Sequence, residues 1–137
     1  MNIKKLILAI IVVTVFNFLV GMLTCGGAFS WVYKLEPTNV WKPETSILFP
    51  LMIAGIFLID ALFVLVYALI NKGIPGKNRF IKGIIYGFLV CLVGLVPGMI
   101  ETYTYMTVAT TVVIYWTIWG FIVNPVKGLL TAAIYGE

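Results

Sequence analysis

Three short polar connections divide the chain into four apolar stretches, at residues 6–33, 46–70, 80–100 and 108–135. A helix that crosses a bilayer needs about 20 mainly apolar residues, because each adds about 1.5 Å to its length. Every stretch meets that requirement. The first holds no charge, the second only Asp60, and the fourth carries Lys127 in its final third. A water-soluble alternative is hard to build. The 137 residues are 62% hydrophobic and only 10% charged. A domain of this size keeps too much surface in water to hide such a composition. The expected fold is an all-α integral membrane four-helix bundle, a single domain running up-down-up-down.

The connections support that order. Residues 34–45 contain Pro37, Trp41 and Pro43, residues 71–79 contain Gly73, Pro75 and Gly76, and residues 101–107 are brief and polar. Links this short make consecutive helices antiparallel. Bases then set the orientation. Lys4, Lys5, Lys72, Lys77, Arg79 and Lys82 fall on one side, whereas Lys34 and Lys42 share the other with Glu36 and Glu44. The excess of bases places the amino terminus and the second connection in the cytoplasm, and four crossings bring the carboxyl terminus back there. Without a eukaryotic targeting signal, the expected location is a bacterial inner membrane. Lys4-Lys5 before an apolar run also has the form of a secretion signal, and Leu23-Thr24-Cys25-Gly26 that of a lipoprotein cleavage box. Thr24 stands where that box takes Gly or Ala, and the apolar run exceeds a signal core. The first helix is expected to be retained.

Composition narrows the chemistry. The net charge of +4 places bases beside apolar runs, which suits membrane orientation and not nucleic acid. Histidine is absent, and two cysteines cannot build a thiolate cage. No cofactor, no metal and no enzymatic activity are expected, since no nucleophile and base can be paired. Cys25 and Cys91 differ in depth by roughly 10 Å on the helical rise, too far for a disulfide.

Helices in lipid associate through close approach of small residues. The third stretch carries Gly83, Gly87, Cys91, Gly94 and Gly98 along one face, and the fourth carries Gly120, Asn124, Gly128, Ala132 and Gly136. These ridges can face each other or a second copy, so a homo-oligomer or a larger membrane complex, surrounded by lipid, is the expected state. Pro97 and Pro125 interrupt their helices; Asn124 could cap carbonyls freed at Pro125, but a plain structural bend is the expected reading.

Asp60 is the candidate for function. It lies near the bilayer centre, where an unpaired charge costs at least ~2.5 kcal/mol. It must be neutral, paired or facing water. Lys127 lies about 4 to 9 Å deeper on a helix of the same direction, an offset its long side chain can largely bridge, and two arrangements compete. The ammonium can reach Asp60, or it can extend to the cytoplasmic phosphates, which has a slight advantage. Asn17, Asn124 and Tyr115, with Tyr86, Thr110 and Thr111, complete the intramembrane polar set. Scattered interhelical hydrogen bonds are expected in preference to one pocket.

The segment Leu35-Glu36-Pro37-Thr38-Asn39-Val40-Trp41-Lys42-Pro43, the glycine-rich third helix and the closing Lys127-Gly128-Leu129-Leu130-Thr131-Ala132-Ala133-Ile134-Tyr135 resemble small uncharacterised four-helix bacterial inner-membrane proteins. The resemblance implies the topology and no activity. Length, four helices and one membrane carboxylate are also similar to the small multidrug-resistance exporters. Those carry an essential glutamate in helix one, where this chain has Asn17. Two functional expectations follow. The first is a structural or accessory membrane subunit without its own activity. The alternative is a small proton- or cation-coupled transporter or channel using Asp60.

Overall fold

The computed structural model describes residues 2–136. The fold is helical throughout, with no strand among the described residues. Four helices are long and apolar enough to cross a membrane: α1 (Ile3–Ala28), α2 (Phe49–Gly73), α3 (Arg79–Tyr105) and α4 (Thr110–Tyr135). Local chemistry sets several of their ends. Asn2 accepts from the Lys5 amide (3.2 Å) at the start of α1, and Asn78 accepts from the Ile81 amide (3.0 Å) at the start of α3. Each satisfies one of the amides that a helix start leaves free.

Three boundaries differ from the sequence expectation. α1 stops at Ala28 in a π turn over Thr24–Ala28, and Ser30–Lys34 forms a separate 3-10 turn. Gly26 and Gly27 weaken the helix there, so apolarity continues to Tyr33 while the helix does not. α2 begins at Phe49 with Pro50 in its first turn, because proline tolerates a helix start where no amide partner is needed. α3 runs on to Tyr105, so Glu101, Tyr103 and Tyr105 are helical and not loop residues.

α3 packs most extensively on α4, and α1 lies against both α4 and α2. Contacts between α3 and α4 descend in opposite order, from Gly83 on Gly128 through Gly87 on Asn124 to Cys91 on Gly120, so these helices are antiparallel. The same holds for α1 and α2, where Ala9 and Val13 share a core with Val64 and Tyr67. That core sits toward the end bearing Lys4, Lys5, Lys72 and Arg79, the basic end. At the opposite, aromatic end, Val32, Val108 and Val112 form a smaller cluster under Tyr33, Trp41 and Trp116. Around both clusters the perimeter is apolar and exposed, as at Leu23, Leu51, Leu58, Leu69 and Val93.

The α3 ridge is only half used. Gly83, Gly87 and Cys91 are buried against α4, whereas a Cβ at Gly94 or Gly98 would meet nothing within 4 Å. The expectation of one continuous ridge is therefore corrected. A π turn at Cys91–Leu95 adds a residue to the turn. One residue is about 100° of rotation, which carries Gly94 and Gly98 off the α4 face. Leu95 swings in instead and occupies the space beside Gly120.

Candidate functional site

Asp60 projects from the middle of α2 into the bundle and is 0% exposed. Two helices meet it there. From α4, Lys127 brings its ammonium to 2.5 Å from Oδ1. From α1, the Asn17 amide donates to both carboxylate oxygens, at 3.2 and 3.0 Å. The carboxylate thus ties α1, α2 and α4 together at one level. Lys127 itself is 4% exposed, so it does not extend to the basic end, and the preference for that arrangement is overturned. The buried pair wins because a carboxylate left alone at this depth is costly, while a long lysine stem can pack on apolar neighbours.

Phe63 completes the lysine's surroundings, with the ammonium 4.7 Å from its ring centroid. A cation over an aromatic face gains electrostatic stabilisation that strengthens when water is excluded. Phe63 was absent from the sequence-derived set, although its spacing pointed there. It follows Asp60 by three residues, which puts both on one face of α2.

The other polar candidates do not converge on Asp60. Asn124 donates to the Cys91 sulfur (3.4 Å), and the Cys91 thiol donates to the Gly120 carbonyl (3.3 Å). The Asn124 amide thus turns toward α3, in keeping with a plain bend at Pro125 in place of a side-chain cap. Tyr115 sits at the aromatic end, its hydroxyl 3.3 Å from the Cys25 sulfur. It is therefore removed from the Asp60 site to a separate network. Tyr86 donates to the Phe63 carbonyl (2.7 Å) and stacks edge-on with Phe63 and Tyr67, joining α3 to α2.

The aromatic-end network closes the other half of the bundle. Trp119 donates to the Thr24 hydroxyl (2.8 Å), and Trp116 donates to the Tyr33 hydroxyl (2.8 Å). Both indoles therefore face inward. Burial pushes the Tyr33 phenol above the usual tyrosine range. Trp41 stacks edge-on with both Tyr33 and Trp116, which holds the 34–45 connection down on the bundle.

Among the described residues, no three His, Cys, Asp or Glu side chains come close enough together to hold a metal ion. A lateral groove of about 470 Å³ opens between α2 and α3, with apolar walls at Leu62, Val66 and Val90 and with Asn124 and Lys127 reaching its lining. A second mainly apolar groove, of about 460 Å³, lies between α1 and α2 with Asn17 in its lining, so the arrangement offers an internal tie between three helices with apolar grooves beside it. Comparison with protein-family models, with curated proteins and with solved structures finds no match to this chain.

Proposed function

We propose that this chain is a multi-pass membrane protein of structural or accessory role, in which Asp60 and Lys127 lock the bundle. It sits in a bacterial inner membrane with both termini in the cytoplasm, as a homo-oligomer or as a subunit of a larger complex, and has no enzymatic activity. The perimeter supports insertion, since residues such as Val93, 79% exposed, need a hydrocarbon surrounding. One observation carries the functional part. Asp60 is fully buried within a single copy, with both oxygens occupied by Asn17 and one also by Lys127. A coupling carboxylate has to meet its ion from water, whereas a locking one has only to meet its partner.

The alternative, a small proton- or cation-coupled transporter, draws on the groove between α2 and α3, where Lys127 and Asn124 reach the lining. Reconstituted vesicles separate the two. The lock predicts that the wild-type chain gives no pH-driven uptake or release of cations, and that Asp60→Asn weakens the fold. Cation flux in the wild type that Asp60→Asn abolishes, with helical content and elution volume unchanged, would overturn the lock in favour of transport.

A further inference from the structure

The basic end carries a group of cations that the internal lock does not use. Lys72, Lys77 and Arg79 lie within the eight residues that lead from the last turn of α2 to the first residue of α3, and all three are exposed. Among the described residues the ion pair formed is that of Lys127 with Asp60, so no carboxylate neutralises these three. The remaining described acids are remote. Glu36 and Glu44 belong to the connection at the aromatic end, and Glu101 to the far end of α3.

The turn that presents them is held from below. Asn71, 2% exposed, donates through its side chain to the Ala68 carbonyl (2.8 Å). Its own carbonyl accepts from the Lys82 ammonium (3.3 Å). Gly76, at φ +156, folds the chain onto Lys82 with no room for a Cβ. Lys82 is thus committed to the turn's structure, and the three cations above it share a fixed base. Their like charges repel, and Lys77 and Arg79 stand at the amino end of α3, whose first turn has no acid. An anion would relieve both effects.

The surface next to the cations defines what kind of anion fits. Leu69 and Ile70 on α2 and Phe80, Ile81 and Ile84 on α3 are exposed within a turn or so of them. Arg79 lies over the Phe80 ring, 4.9 Å from its centroid, where the apolar and cationic surfaces join. A free phosphate or a nucleic acid would use the charge and leave the oily surface uncovered. An amphiphile with an anionic head uses both. We propose that the α2–α3 turn binds the headgroup of an anionic phospholipid through Lys72, Lys77 and Arg79, with its acyl chains along the exposed apolar faces of α2 and α3.

This inference rests on the membrane reading above, whose failure looks different: such a chain would stay in the aqueous fraction without detergent. The test uses the full chain in neutral detergent, with bound lipid counted by native mass spectrometry. Phosphatidylglycerol is compared with phosphatidylcholine of the same acyl chains. Each base beside a membrane surface contributes roughly a fivefold factor, so a preference of about tenfold or more for phosphatidylglycerol is expected. The triple variant Lys72→Gln, Lys77→Gln, Arg79→Gln should lose that preference at unchanged helical content, and Lys34→Gln with Lys42→Gln should retain it. Equal binding of the two lipids by the wild type overturns the proposal, as does equal loss in the Lys34/Lys42 variant. Displacement of the lipid by millimolar inorganic phosphate also overturns it, because it would mark a site for a bare anion.

Discussion

Gly128 on α4 rests directly on the backbone of Gly83 on α3, so neither position can accept a Cβ without moving a helix. Such close backbone approach through small residues is the way apolar helices associate where hydrophobic exclusion gives little. The two glycines therefore mark a point of direct backbone contact between α3 and α4.

Gly128→Val should separate α3 from α4 and destabilise the chain by about 3 kcal/mol, at the upper end of overpacking costs. Gly94→Ala and Gly98→Ala should be neutral or stabilising by up to about 1 kcal/mol, since nothing meets a Cβ there and alanine favours helix. Unfolding in mixed micelles by increasing dodecyl sulfate, followed by circular dichroism, measures both. Equal losses at Gly94 and Gly128 would contradict the rotation produced by the π turn.

Asp60→Leu leaves the Lys127 ammonium buried without its counter-ion, and about 3–5 kcal/mol of stability should be lost. The double variant Asp60→Leu, Lys127→Met removes both charges and should recover most of it. Asn17→Leu should cost less than Asp60→Leu, since Lys127 still holds the carboxylate. The same micelle titration, run as a double-mutant cycle, reads the coupling. Additive losses from the two single variants would sever the link between them.

Tyr86→Phe removes one hydrogen bond to the Phe63 carbonyl and leaves the ring contacts with Phe63 and Tyr67 in place. Interhelical hydrogen bonds in membranes average about 0.6 kcal/mol, so a loss of that size is expected. Tyr86→Ala also removes the aromatic bulk and should cost about 3 kcal/mol or more. A Phe variant as weak as the Ala variant would show that the hydroxyl, and not the ring, joins α2 to α3.

The thiols should differ in reactivity. Cys25 is half-buried beside Tyr115, whereas Cys91 is wholly buried between Asn124 and Gly120. In mild detergent, maleimide should label Cys25 within minutes and Cys91 only after denaturation. Rapid labelling of a Cys25→Ser variant under native conditions would mean that α3 and α4 part readily.

The four long apolar helices, their antiparallel order and the gathering of bases at one end were legible in residue order. Hydropathy summed along a segment needs no knowledge of neighbours, and short connections leave few ways to arrange helices. Even the reach of the Lys127 side chain to Asp60 follows from counting residues along two helices of the same direction. The small-residue ridges marked the facing sides of α4 and of α3 as far as Cys91, but the rotation of α1 and α2 about their own axes was not legible. Helices that are apolar all round carry no stripe to say which face turns inward. Only packing decided that Asn17 meets Asp60, that Asn124 turns to Cys91, and that Tyr115 belongs to the Cys25 network. The break in the α3 ridge was hidden for the same reason: a π turn costs one residue of register, and an oily sequence does not announce it. The choice of Lys127 between carboxylate and phosphate likewise depended on whether α1 and α2 closed around Asp60, which is a property of the assembled bundle.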